Sequence, residues 1–194
     1  CVDYVQSVGY KNGKYHLYYK ITLSKMMFSL AEADPEDLFR EIESDMSDLP
    51  PGANYRRVDT DLEAGIELSA EIDPKTADED DRKILPFSEG NRMYLPFLPG
   101  STDDFSKNLS EMTESDDDMT SAMAKAMLSS AKCRILLSKK MLPAVGTVYF
   151  EGLGGQDCSL PVFDYGESFC IEIPFILLTE KGKYKFDRVV VSLP

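Results

Sequence analysis

The sequence has no apolar run long enough to cross a bilayer as a helix. Spanning requires roughly 18 or more apolar residues in a row, and the apolar runs here, Pro174–Leu178 among them, are no longer than a strand. Histidine is nearly absent, with His16 standing alone. The four cysteines, Cys1, Cys133, Cys158 and Cys170, show no C-x-x-C spacing and no partnering histidine cluster. Zinc sites of the kind recognised by spacing are therefore excluded. There is no G-x-S-x-G, H-E-x-x-H, P-loop or G-x-G-x-x-G. Nothing in the chain requires a cofactor or a resident metal. Basic charge is also scarce: 21 Lys and Arg stand against 34 Asp and Glu, for a net charge of −13. Nucleic acid is excluded as a partner, because its phosphates need a basic face.

What is present suits a globular protein. The 194 residues are 43% hydrophobic, enough for one sizeable core or two small ones sharing an interface. The charge is uneven. Between Ala31 and Asp81, 18 acids stand against 4 bases, whereas the first 30 residues carry one acid, Asp3, and four lysines. The stretch from Lys132 to Pro194 is nearly balanced. An acidic middle favours solubility and repels anionic surfaces.

Tyr4–Lys11 and Lys14–Leu23 read as a β-hairpin around Asn12-Gly13, a pair suited to a type I′ turn. That turn sets Val8 opposite Leu17 and Tyr10 opposite Tyr15, with Tyr15, Leu17, Tyr19, Ile21 and Leu23 on one face. Two short helices are expected next. The first covers about Ser24–Ala31. The second starts with Asp34 as N-cap and Pro35 at the first helical position, burying Leu38, Phe39, Ile42 and Met46. Leu62–Ile72 alternates apolar and mostly acidic residues, as a half-solvated strand does. Its expected buried residues include Leu62, Ile66, Leu68 and Ile72, with Glu63, Glu67 and Glu71 in water. Asp73–Arg82 reads as a charged loop. Ile84–Phe87 and Arg92–Leu98 read as short strands, pushed toward an edge by Pro86 and Pro96. Helix is expected within Asp103–Ala131, most clearly over Met119–Ala131. Five strands follow: Cys133–Leu137, Thr147–Phe150, Ser159–Phe163, Ser168–Leu178 and Lys185–Leu193.

The fold class expected is α+β, with antiparallel sheets, helices packed on one face and a β-rich C-terminal third. One domain over 1–194 is the preferred organisation. The alternative is an α+β unit over 1–131 followed by a small β-sandwich over 132–194.

Few residues offer chemistry. His16 faces away from Tyr15 and Leu17 and lacks a neighbouring serine or cysteine motif, so it reads as an ordinary sheet histidine. Gly152-Leu153-Gly154-Gly155 has no helix to receive a phosphate and reads as a turn. Asp59–Gly65 resembles a calcium loop superficially, but its glycine is one place late and Ala70 stands where a bidentate Glu is needed. Glu114–Asp118 packs four carboxylates into five residues. A hard cation could bind there weakly, although acids at the front of a helix also suit its dipole. Cys158 and Cys170 could bridge a hairpin or simply serve as small buried hydrophobes. Met119, Met123 and Met127 recur at helical spacing. They read as core packing or as the adaptable wall of a pocket for an apolar ligand. Of the early tyrosines, Tyr4, Tyr10, Tyr15, Tyr18 and Tyr19, only Tyr18 falls on the face away from the proposed core.

Cys1 at the head of the chain resembles the lipid-acceptor cysteine of a bacterial lipoprotein. Val2, not Asp, follows it, and under a sorting rule of enterobacterial type the resemblance implies the outer membrane. With Cys1 lipidated, at least one of the remaining cysteines is unpaired. Residues 1–73 also resemble the LppM-like lipoprotein domain. The shared features are a hairpin after the cysteine, Leu23-Ser24-Lys25 at a helix start, an acidic helix, and a strand entered through Asp59-Thr60-Asp61 with Gly65 inside it. That resemblance implies an envelope-anchored domain suspected of binding lipid or glycolipid, without catalytic residues to carry over. The function expected is thus a non-catalytic envelope lipoprotein, held to the membrane by lipid on Cys1. It would bind a lipid, another apolar ligand at Met119, Met123 and Met127, or another envelope protein. A structural or adhesive surface protein is the alternative. A hydrolase using Glu114, Asp116 and Asp118 rests on acid density alone.

Overall fold

The computed structural model describes residues 2–30, 34–44, 52–97, 118–180 and 182–194. Asn12 and Gly13 both take positive φ, 54° and 81°, which is the twist a two-residue hairpin turn needs. They join β1 (Val2–Lys11) to β2 (Lys14–Ser24) in the expected register, Val8 against Leu17 and Tyr10 against Tyr15. The Tyr10 and Tyr15 rings meet edge-on at 4.9 Å. Next come α1 (Lys25–Leu30) and α2 (Pro35–Ser44). Asp34 caps α2 through its side chain, accepting from the Glu36 amide at 3.0 Å. β3 (Asn54–Asp59) and β4 (Glu63–Ile72) form a second hairpin that lies beside β2.

The charged stretch after β4 closes into a short helix, α3 (Glu79–Lys83), because the Asp78 carboxylate caps the Asp81 amide. The strands that follow are β5 (Phe87–Glu89) and β6 (Arg92–Pro96). β5 begins where the sequence expected a strand to end. β6 is an inner strand, not an edge, since Pro96 sits at its last position and removes no interior donor. Beyond come α4 (Asp118–Ser130), β7 (Lys132–Ser138), β8 (Val148–Phe150), β9 (Cys158–Ser159), β10 (Val162–Asp164), β11 (Ser168–Pro174) and β12 (Arg188–Ser192). The expected strand Ser159–Phe163 is split at Leu160-Pro161, and its halves join different sheets: β9 pairs with β8, β10 with β11. β11 stops at Pro174 and turns into a 3₁₀ helix, Phe175–Thr179, shortening the strand expected to reach Leu178.

The molecule is α+β, with two sheets. The larger runs β10-β11-β7-β1-β2-β4-β3, the smaller β5-β6-β12-β8-β9. Pairing in the larger sheet departs from an all-antiparallel expectation at one place: β7 lies parallel to β1, Tyr4 against Cys133 and Val8 against Leu137. A parallel neighbour needs a long crossover, and here the chain runs through the second sheet and α4 before it returns.

One face of the large sheet is the inner face. From it Tyr4, Val8, Leu17, Cys133, Ile135, Leu137, Ile171 and Ile173 meet Leu95, Phe97, Val148, Phe150, Val189 and Val191 of the small sheet in one continuous core. Gln6 lies inside it with its amide satisfied: it accepts from Tyr4 Oη at 3.1 Å and donates to the Pro96 carbonyl at 2.8 Å. Helices α1 and α2 cover the same face further along, where Phe39 and Phe28 pack on Ala64 and Ile66. The Leu38, Ile42 and Met46 side chains fall outside the described residues. α4 adds Leu128 to the core, and Ala131 just beyond its end adds to it too, beside β11 and the 3₁₀ turn. The opposite, outer face of the large sheet carries no hydrophobic cluster among the described residues.

Candidate functional site

The outer face is built by strand alternation. Pairing places Phe163, Cys170, Leu136, Ser7, Tyr18, Ser69 and Asn54 side by side across seven strands. One step toward the Asn12-Gly13 turn lie Gly9, His16 and Glu71. Small residues on β1 and β4 thus lie low on either side of β2, from which Tyr18 and His16 rise, and Asn54 stands beyond them on β3. The result is a groove of about 650 Å³ lined by Ser7, Lys14, His16, Tyr18, Asn54, Ser69 and Glu71, with Gly52 at its rim.

Every carboxylate on this face has a cation beside it. Asp3 pairs with Arg134 at 3.1 Å, and Glu63 with Lys20 at 3.2 Å. Glu67 accepts from Arg56 Nε at 2.8 Å, and Glu172 pairs with Lys132. Glu71 lies 3.3 Å from His16 Nδ1 and 3.9 Å from Lys14. Thr22 Oγ1 donates to Glu63 at 2.9 Å, and this bond with that from Lys20 holds the Glu63 carboxyl below its usual range. Burial, then a hydrogen bond to Glu67, pushes the Tyr18 phenol up, so it stays a protonated donor at neutral pH. The groove is polar and locally neutral in a chain of net charge −13.

Candidate nucleophiles near this groove and elsewhere depend on an activating partner. A nucleophilic hydroxyl needs a base within hydrogen-bond reach. Among the described residues no serine is bonded to His16, whose imidazole is engaged by Glu71. The three described cysteines are free thiols, with no bridge between Cys158 and Cys170. Burial pushes Cys133, Cys158 and Cys170 up, which disfavours the reactive thiolate.

The described methionines singled out by sequence lie elsewhere. Cys1, Glu114 and Asp116 fall outside the described residues, and Asp118 opens α4. On α4 the buried face carries Ser121 and Leu128. The methionine stripe runs along its flank: Met123 is 49% exposed and Met127 half-buried, while the Met119 side chain falls outside the described residues. Asp59 of the calcium-like segment pairs with Lys25 at 2.6 Å, and Thr60 Oγ1 accepts from the Leu62 and Glu63 amides to turn β3 into β4. Sequence reasoning passed over Ser7, Ser69 and Asn54, and set His16 aside. The available signal was parity: Tyr18 and His16 face away from the core, and Ser7 and Ser69 share that parity.

No protein-family model matches this chain, and no curated protein matches it.

Proposed function

We propose that this protein is a non-catalytic binding protein, and that its ligand is an uncharged, hydroxyl-bearing molecule seated in the outer-face groove. The observation that carries this reading is the neutral polar floor between paired charges. A strongly ionic ligand would have to break ion pairs such as Glu71–Lys14 and Glu67–Arg56 without a net field to attract it. An apolar ligand would strip water from Ser7, Ser69 and Asn54 without replacing their hydrogen bonds. A ligand carrying its own donors and acceptors meets neither cost. Titration calorimetry with uncharged saccharides tests the reading, using Ser69→Arg to fill the groove. Wild type is expected to bind and Ser69→Arg to lose binding with an unchanged circular dichroism spectrum. Equal binding by both proteins would sink the groove as the site.

The exposure of Met123 favours a second reading, an apolar ligand held against the flank of α4. Here Met123→Glu is expected to weaken binding of a hydrophobic fluorophore while the protein stays folded. Unchanged fluorophore binding would remove this reading.

A further inference from the structure

We infer that the binding site does not end at the groove but crosses the sheet to an aromatic platform at β10, and that its occupant is an extended, uncharged glycan chain. The inference rests on the groove reading and adds the class and length of the ligand. The cross-strand row that supplies Ser7, Tyr18, Ser69 and Asn54 continues through Leu136 and Cys170 to Phe163. Leu136 is half-buried and Cys170 buried, so the middle of the row is a low, smooth floor. At its end Phe163 is 43% exposed and Tyr165 63% exposed, and their rings stack 6.5 Å apart at an interplanar angle of 27°. Lys139 bonds Asp164 at 2.6 Å beside them, so the platform also carries a compensated charge.

Two exposed, nearly parallel rings are costly to leave in water. Their electron-rich faces attract polarised C–H groups, which a pyranose ring presents on one side while its hydroxyls point outward. The groove offers the complementary hydrogen bonds. Six strand spacings separate Asn54 from Phe163, about 29 Å along the row. Only a ligand of several linked units reaches from hydroxyl-rich groove to aromatic platform. The pairing of charges along the way selects against anionic polymers, and the hydroxyls of the groove against a simple acyl chain.

The test uses the whole protein on an array of uncharged linear oligosaccharides, graded from disaccharides to roughly octasaccharides. Two variants are compared with wild type: Ser69→Arg in the groove, and Phe163→Ala with Tyr165→Ala at the platform. Affinity for at least one series is expected to rise with length. The double platform variant is expected to lose about tenfold on the long members, as removal of a stacking partner does, and nothing on the short ones. Ser69→Arg is expected to lose all of them. Binding that does not depend on length, or a platform variant equal to wild type on long members, overturns the extended site while leaving the groove reading intact. Binding that survives Ser69→Arg, or no binding by wild type to any member, overturns both.

Discussion

Glu63 carries a pH-dependent part of the stability. Its carboxylate accepts from Thr22 and Lys20, which holds its folded pKa below the ordinary value of about 4.3. A depressed carboxyl stabilises the fold above the unfolded pKa, and that contribution is lost as pH falls through the folded value. Glu63→Gln is therefore expected to cost about 1 kcal/mol near neutral pH, and the gap to wild type should close below about pH 4. Urea midpoints of both proteins across that range check it; a gap that widens toward acid would contradict the assignment. Two residues near Glu63 show what alternation can and cannot reveal. Ile66 is buried, so Ile66→Ala should cost roughly 2–5 kcal/mol. Leu62, expected to be buried, is 80% exposed because it sits in the β3–β4 turn before pairing begins. Leu62→Ala should then stay within about 0.5 kcal/mol, and urea unfolding of the two variants separates the cases. Glu67 was expected in water, yet it lies beneath Arg56 and beside Tyr18. Parity told which face it is on, but only the strand across from it decides how deeply it sits.

At the scale of elements, local signals were the readable ones. The β1–β2 hairpin was legible in its turn and register, since turn chemistry and alternation lie within one short stretch, although its strands run out to Val2 and Ser24, beyond the expected Tyr4 and Leu23. The α2 start was legible for the same reason, with Asp34 and Pro35 adjacent. The break at Pro161, the 3₁₀ turn after Pro174 and the interior place of β6 depend on partners distant in sequence, and no window around them held the answer. The methionine spacing on α4 was real, but among its described side chains the helix buries Ser121 and Leu128, with Met123 exposed and Met127 half-buried. Gly65 is the tightest point of β4. A Cβ there would come within 2.0 Å of the Ile21 carbonyl oxygen and 2.6 Å of Thr22 Cα, both backbone atoms that cannot swing aside. Gly65→Ala is expected to cost about 3 kcal/mol or more, far above the usual gain from replacing a strand glycine. A thermal midpoint equal to wild type would show that β2 and β4 do not approach so closely.

Among the described residues, the acidic helices and the outer-face groove are kept apart. Glu36, Asp37 and Glu43 lie on α2, and Asp78–Asp81 cluster at α3, while the outer face of the large sheet balances its charges pair by pair. Composition announced the excess of acid; it could not say that the groove would be spared, because that depends on which strands become neighbours. The most consequential pairing of all is the parallel one between β1 and β7. Strand β1 occupies the middle of the large sheet, and its second edge finds no partner until residues near Cys133 arrive. Assembly must therefore wait for the chain's far portion, which favours slow, late closure over stepwise maturation. During synthesis that bare edge is a hazard, open to strands of other chains. A fragment ending at Ala131 is expected to self-associate as its concentration rises, visible by sedimentation, whereas a folded monomer would show that the edge needs no closing. A strand at the centre of the sheet thus keeps one side open until the chain has travelled through two helices, a hairpin, part of the second sheet and α4.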